Sequence, residues 1–345
     1  MKTARFYGQK DIRVEELPDP TPGQGEVIVR VRATGICGSD LHGYRSPVKR
    51  EHPPTTGGHE MAGEVVEIGA GVSACEVGDR VAIEPLMPCR ICAHCLQGQY
   101  QRCRQLRHIG GSDRAGGFAE LINVPAQNIH LLPDGVSFES GAMAEVYAVA
   151  VHALSRLPLQ TGESVCIIGS GPIGLSIAEM ASISGAGSVL VLGKPAAALS
   201  AIEHLGNVQT VDVTEDDVKE RVKIWSEGQG ADVVFEAVGG GATINQALRI
   251  VRPGGRVGLV GAQTVADKVP VGYLQQSEIS LVGCFCYGRR SMRSEFRIAI
   301  DLLASGRLDA GPFITHEFSL DDIAEAFAVA NGRDQHGSIK VLVKA

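Results

Sequence analysis

The chain has no apolar run approaching the ~18 residues of a membrane span. It has no internal repeat, low-complexity tract or disordered linker. Its first residues, MKTARFYGQKDIRVEEL, are mixed and charged and lack the apolar core of a secretory signal. It also lacks an excess of positive charge: the formal balance is −7, which argues against nucleic acid as an obligatory partner. Nine cysteines are present, an odd number, and five lie outside the single cluster. These absences lead us to expect a cytoplasmic protein with free thiols and neither a membrane nor a nucleic acid as partner. What remains is ample: 345 residues, 44 % of them apolar, suffice for two domains with sizeable cores.

The texture changes along the chain. The first part reads as all-β, with branched runs at Glu26–Arg32 and Gly63–Gly69 and a turn entering a strand at Val77–Val81. Gly141–Leu157 is Ala-rich and suits a helix that ends near Pro158. From Ser164 short apolar runs alternate with helical stretches. Strands are expected at Val165–Ile168, Val189–Leu192, Val208–Asp212, Asp232–Phe235, Arg256–Val260 and Ile279–Val282. Helices are expected at Ile173–Ser184, Ala196–Leu205, Asp216–Trp225 and Ala242–Val251. Such alternation implies a parallel sheet covered on both faces. Two further helices, Glu295–Ala304 and Leu320–Ala330, precede a closing strand at Ile339–Val343.

Cys89, Cys92, Cys95 and Cys103 form a C-x2-C-x2-C-x7-C cluster within one Arg- and Gln-rich loop. Four thiolates so close in sequence can close a tetrahedral shell around Zn²⁺. Four protein ligands leave no open position, so this site reads as structural. A disulfide framework is the competing reading, and it fits poorly with a chain that carries no secretory signal.

Gly169, Gly171 and Gly174 form G-x-G-x-x-G, with Pro172 and Ile173 between them. The motif follows one expected strand and opens one expected helix. The glycines permit a tight turn, approach of a pyrophosphate and close helix–strand packing, and the helix N-terminus offers free N–H groups to the phosphates. A carboxylate is expected about 20 residues on, at the end of the second strand, to hold the adenosine ribose. Gly193 and Lys194 stand there instead. Without that carboxylate a ribose 2′-phosphate is not repelled, and Lys194 can pair with it. The expectation is NADP in preference to NAD; a shortened turn that holds either cofactor loosely is the alternative.

A second ligand set is dispersed: Cys37 in GICGSDLH, His59 and Glu60 in TTGGHEMAGE, and Glu145 in GAMAEVYAVAVHA. Thiolate, imidazole and carboxylate together can hold Zn²⁺ with a position open to substrate. None of the four convinces alone. Their order ahead of a dinucleotide fold, beside a four-cysteine lobe, makes the case.

With those motifs, and with GHEMAGEVVEIGAGV, VGDRV, GGFAE, VVFEAVGG and VRPGGRVGLVG, essentially the whole chain resembles the zinc-dependent medium-chain alcohol and polyol dehydrogenases. The resemblance implies an α/β architecture: a GroES-like β-barrel catalytic domain, residues 1–147 and 290–345, with a zinc lobe at about 86–106, and an inserted doubly wound Rossmann domain at 148–289. It implies that Cys37 and His59 bind the catalytic zinc. Glu60 binds it or exchanges with water, and Glu145 stands where ethanol-type members carry a cysteine, as in polyol and threonine dehydrogenases. Ser39 and His42 match the proton-relay positions. Val260, Gly261, Cys284 and Phe285 match cofactor-contacting positions. Tyr44 and Tyr287 match substrate-contacting tyrosines, although Gly43 follows the relay histidine directly and Cys286 stands where sorbitol dehydrogenases have arginine. Both departures weigh against sorbitol itself. Asp113 and Arg114 lie in a stretch similar to threonine and galactitol-phosphate dehydrogenases, and Arg114 can meet a carboxylate or phosphate or simply sit in a surface loop.

The expected activity is interconversion of a secondary hydroxyl of a polyol or sugar-derived alcohol with a ketone, by hydride transfer to a nicotinamide cofactor. The alternatives are an L-threonine 3-dehydrogenase, a sugar-alcohol-phosphate dehydrogenase, a zinc-free reductase on the same fold, and a catalytically silent nucleotide- or redox-sensing protein. The resemblance also implies a homodimer or homotetramer joined through the last Rossmann strand.

Overall fold

The computed structural model describes residues 1–46, 55–111, 114–262, 268–290 and 292–345. The chain divides into two compact units, Met1–Glu145 with Gly288–Ala345, and Val146–Tyr287.

The first unit is built on a seven-stranded sheet whose central strand is Glu26–Gly35. Glu60–Ile68 lies antiparallel along the length of that strand. On its other edge the first half pairs with Leu121–Pro125, and the last two residues pair with the C-terminal strand Lys340–Lys344. Arg80–Ile83 and then Ile129–Leu131 extend the sheet beyond Glu60–Ile68, and Ile314–Ser319 runs parallel to the C-terminal strand at the far edge. The tail of the chain is therefore stitched into the N-terminal sheet. Val27, Val29, Val31, Met61, Val65, Val81 and Ile83 converge in a core that water does not reach. On the other face Phe6, Tyr44, Phe118 and Phe327 form an aromatic cluster, with ring centroids 5.2–6.1 Å apart. Such offset and edge contacts suit the ring quadrupoles.

The polar hairpin Lys2–Gly8 with Asp11–Glu16 belongs to this unit, as does a short hairpin, Arg289–Arg290 with Arg293–Ser294. The latter is tied to the cysteine lobe by a hydrogen bond from the Arg289 N–H to the Gly98 carbonyl, 2.8 Å.

The second unit carries six parallel strands in the spatial order Val208–Asp212, Ser188–Gly193, Ser164–Ile168, Ala231–Glu236, Val251–Leu259, Ser280–Gly283. In sequence order this is 3-2-1-4-5-6, the doubly wound dinucleotide arrangement. Cys166, Ile168, Leu190, Leu192, Val234 and Val257 pack against helices such as Gly241–Ile250. Burial on both faces explains why these strands read as continuous apolar runs rather than as alternation.

The expected helix Ala196–Leu205 is shorter, Ala196–Ser200, and continues as turns through His204. Gly141–Leu157 is divided into Phe138–Ala142 and Ala144–Arg156. Ser137 caps the first of these through its hydroxyl, which accepts from the Ser140 N–H. Among the described residues no helix is long and apolar enough to cross a membrane.

Candidate metal centres and dinucleotide site

The lobe cysteines converge. One ligand atom from each of Cys89, Cys92, Cys95 and Cys103 lies within 4.8 Å of the others. The Cys92–Cys95 and Cys89–Cys95 sulfur separations are 3.5 and 3.9 Å. Four sulfurs at zinc bond length span tetrahedron edges of about 3.8 Å, so the geometry fits that ion. Arg90 takes a left-handed backbone, φ 62°. The Ile91 and Cys92 N–H groups donate to the Cys89 sulfur and hold its thiol down at about 6. Burial and the neighbouring thiols push Cys95 up to about 12. A cation held among the four sulfurs would favour thiolate over thiol.

The second set is assembled from three elements. Cys37 sits at the N-terminus of the helix Gly38–Arg45, where its N–H donates to the Asp40 carboxylate, 3.0 Å. His59 and Glu60 enter the long strand that pairs with Gly35. The ligand atoms of Cys37, His59 and Glu60 lie within 4.8 Å of one another. Glu145 opens the helix Ala144–Arg156. It is buried and lies outside that 4.8 Å group, and its charge acts on both His59 and Lys340.

Sequence reasoning missed two residues here. The Asp40 side chain is 7 % exposed, with an oxygen 4.0 Å from His59 Nδ1, and it accepts from the Cys37 and Gly58 N–H groups. Lys340 reaches in from the C-terminal strand. Its ammonium donates to Glu60 Oε1 at 2.7 Å, to Glu60 Oε2 at 2.5 Å and to the Ile36 carbonyl at 3.1 Å. Both side chains of this ion pair are 2 % exposed. The spacing of Cys37 and Asp40 as a helix-capping pair was available in the sequence. No local signal exists for Lys340, whose partner lies 280 residues away.

The electrostatics favour a cation. Burial pushes the His59 imidazole down, yet Cys37, Asp40 and Glu145 raise it well above its ordinary value. Lys340 is also raised: burial opposes its charge, and Glu60, Cys37 and Glu145 outweigh that. The surplus of negative groups, with soft sulfur, imidazole and carboxylate donors together, fits a zinc ion.

Ser39 and His42 lie exposed, three residues apart on one face of the helix that Cys37 opens. Tyr44, by contrast, packs in the aromatic cluster with its ring 5.4 Å from Phe327. Its ring is part of the core in this structure. Arg114 donates to the Glu26 carboxylate at 2.7 Å and to the Asn123 carbonyl at 2.9 Å, so its charge is already matched. Asp113 lies outside the described residues.

In the second unit Gly169 and Gly171 occupy the turn from Ser164–Ile168 into the helix Pro172–Ile183, whose first three residues are Pro172, Ile173 and Gly174. A β-carbon at Gly174 would stand 1.8 Å from the Gly169 carbonyl oxygen, so helix and turn touch here only because residue 174 has no side chain. Gly193 ends the neighbouring strand. A β-carbon there would meet the Ser170 hydroxyl at 2.3 Å, and that hydroxyl donates to the Lys194 carbonyl at 2.8 Å. Ser170 therefore fills the space in which a side chain at 193 would begin. Val260 and Gly261 follow the strand Val251–Leu259, with both N–H groups donating to the Glu236 carbonyl. Cys284 is buried and its thiol is pushed up to about 11, whereas Phe285 is exposed. Tyr287 closes the unit, fully buried. Cys166 is buried with its thiol pushed up, and burial does the same to Cys75, which does not suit either to redox sensing.

Comparison with known proteins agrees with this geometry. The alcohol dehydrogenase GroES-like domain model matches residues 23–134, and the zinc-binding dehydrogenase model matches residues 172–305. The chain belongs to the zinc-dependent medium-chain dehydrogenases. It is 33 % identical to a sorbitol dehydrogenase of Bacillus subtilis, over 94 % of this chain and 92 % of that protein. It is 37 % identical to an L-threonine 3-dehydrogenase of Pyrococcus horikoshii, over 95 % and 93 %. A Sinorhizobium meliloti structure described as a zinc-binding dehydrogenase bound to NADP superposes with a TM-score of 0.89 at 31 % identity, over 100 % of this chain and 99 % of that one. Within the family, the chain falls in the polyol dehydrogenase-like branch, and it is an oxidoreductase of alcohols.

Proposed function

We propose that this dehydrogenase interconverts a secondary hydroxyl of a vicinal diol or polyol with the ketone, and that it uses NADP in preference to NAD. The observation that carries the substrate reading is the pair of buried carboxylates, Glu60 and Glu145, beside Cys37 and His59. A carboxylate-rich centre suits a substrate that chelates through neighbouring oxygens. The cofactor reading is supported by Lys194 and by the side-chain-free position 193 packed on Ser170.

Zinc held by Cys37, His59 and the carboxylates would supply Lewis acidity, and the nicotinamide a hydride acceptor. The chain supplies the rest. Ser39 and His42 carry the hydroxyl proton outward along their shared helix face. Lys340 neutralises Glu60 and anchors it by both oxygens. Lys194 meets the 2′-phosphate, and the N–H groups at the start of Pro172–Ile183 meet the pyrophosphate.

The threonine reading has one observation in its favour, the 37 % identity noted above. Arg114 does not add to it: a substrate carboxylate would have to displace Glu26. The test is nicotinamide reduction followed by near-ultraviolet absorbance at alkaline pH, crossing NAD⁺ and NADP⁺ with polyols, sugar acids, simple secondary alcohols and L-threonine. Polyol turnover with NADP⁺ favoured is the expected result. Threonine turnover with NAD⁺ would overturn both halves of the proposal.

A further inference from the structure

The parallel sheet lacks a carboxylate at the end of its second strand but not at the end of its third. Gly193 ends the strand Ser188–Gly193, and its register partner on the outer strand Val208–Asp212 is Asp212. Registered residues of neighbouring parallel strands present their side chains on the same face, about 4.8 Å apart. The face that position 193 would use is fixed by its surroundings: a β-carbon there would meet Ser170, in the Gly-rich turn. Asp212 therefore stands on the face of the sheet that carries that turn, one strand spacing outward from where an acidic residue would hold the adenosine ribose. The two strand ends are tied together, since the Val213 N–H donates to the Gly193 carbonyl at 3.1 Å.

Asp212 is both fixed and charged. Thr214 donates its N–H at 2.8 Å and its hydroxyl at 2.6 Å to one oxygen of the carboxylate. Those two bonds, and then the Lys194 ammonium, hold the carboxyl below its ordinary value, although burial acts the other way. The charges of Lys194 and Asp212 thus act on each other across the strand ends. The next acidic residues, Glu215, Asp216 and Asp217, follow in the same turn. Asp217 is spent on capping the helix Val218–Trp225, where it accepts from the Lys219 and Glu220 N–H groups. Asp216 lies 3.9 Å from Arg221. Asp212 differs from these in acting on the cation that is read as the partner of a ribose 2′-phosphate.

We propose that Asp212 is a second specificity-determining residue for the cofactor: an anion on the strand beside Lys194 that repels the 2′-phosphate and so caps the preference for NADP. This rests on the reading of Lys194 as the 2′-phosphate partner. Lys194 attracts the phosphate, and Asp212 opposes it from the neighbouring strand. NADH carries a neutral hydroxyl at that place and responds weakly to either charge. Discrimination is then a difference between two opposed charges rather than the work of one lysine. The ionic strength of the solution sets how far each charge reaches.

The test is fluorescence titration of NADPH and NADH into the zinc-loaded, full-length protein. Asp212→Asn keeps an acceptor oxygen for Thr214 and removes only the charge. It should tighten NADPH binding by roughly three- to tenfold at low ionic strength and change NADH binding by less than about twofold. The gain should shrink as salt is raised, which a purely structural effect would not do. Retained NADH binding reports that the unit is folded. Glu215→Gln removes a charge from the same turn and should leave the ratio of the two affinities within about twofold. Unchanged NADPH affinity in Asp212→Asn would overturn the proposal, as would an equal gain in Glu215→Gln. Weaker NADH binding with no gain for NADPH would make Asp212 a ribose ligand and overturn it too. Lys194→Ala separates this inference from the reading beneath it. If NADPH affinity does not fall in Lys194→Ala, the cofactor reading fails and the counterweight with it. A fall there with no gain in Asp212→Asn sinks the role of Asp212 alone.

Discussion

Replacing Lys340 with methionine tests the most buried ion pair among the described residues of the first unit. All three protons of the ammonium are used, two on Glu60 and one on the Ile36 carbonyl. Methionine approximates the volume of the stem but removes the charge. Glu60 would then be a carboxylate about 1 % exposed with its counter-charge gone. Breaking one partner out of a buried pair costs about 3–5 kcal/mol, because an uncompensated charge remains. Removing both partners should cost far less, since a buried pair contributes little beyond repairing its own desolvation. Lys340→Met is therefore expected to lose about 3–5 kcal/mol, and Lys340→Met/Glu60→Met to recover most of it. Equilibrium urea unfolding is the assay. It should be followed by far-ultraviolet circular dichroism, because the single tryptophan, Trp225, lies in the other unit and reports that one instead. A loss below about 1 kcal/mol in the single variant would refute the reasoning. So would a double variant no more stable than the single.

Lys194→Ala should weaken NADPH binding by roughly 10- to 100-fold, the worth of a hydrogen bond to a charged group, with little effect on NADH; fluorescence titration of the reduced cofactors checks this. Gly193→Asp should not convert the enzyme to NAD, because its β-carbon would collide with Ser170; tight NADH binding by that variant would show the packing argument wrong. Zinc analysis should give two ions per chain. His59→Ala should lose one with the fold intact, while Cys103→Ser should lose the other and open the lobe to proteolysis. Asp232 accepts from the Ser164 N–H and hydroxyl and from Arg252, which together hold its carboxyl below the ordinary value although burial acts the other way. Its folded pKa is depressed, so its stabilisation is present above the unfolded value of 3.8 and is lost as pH falls through the folded value. Asp232→Asn should cost about 1–3 kcal/mol at neutral pH, and the gap to the parent should close below pH 3.8; Trp225 fluorescence in urea reads this unit directly.

What the amino-acid pattern made legible follows from where information about a contact resides. The inner strands Ser164–Ile168, Ser188–Gly193 and Ala231–Glu236 were legible because burial on both faces writes an apolar run into each, whereas the half-buried edge strand Val208–Asp212, VQTVD, was bounded by its place in the alternation of strands and helices. The cysteine lobe was legible because its ligands are neighbours in sequence. The dispersed centre needed a resemblance, since Cys37, His59 and Glu145 stand on a helix cap, a strand and a second helix. The hairpin Lys2–Gly8 with Asp11–Glu16 escaped because its alternation is polar enough to pass for a surface segment. The burial of Tyr44 was not legible, because its place two residues past His42 says nothing about which way the ring faces; the cluster it joins, with Phe6, Phe118 and Phe327, is assembled from distant parts of the chain. Lys340 is the extreme case. In GSIKVLVKA it resembles the solvent-facing member of an edge strand. Only pairing of that strand with Gly35, at the end of a strand whose other neighbour begins at Glu60, turns its side chain inward toward a carboxylate. The C-terminal strand thus completes both the sheet and the charge balance of the metal centre. Truncation before Lys340 should therefore remove zinc binding at Cys37 and His59 while leaving the four-cysteine lobe able to hold its ion.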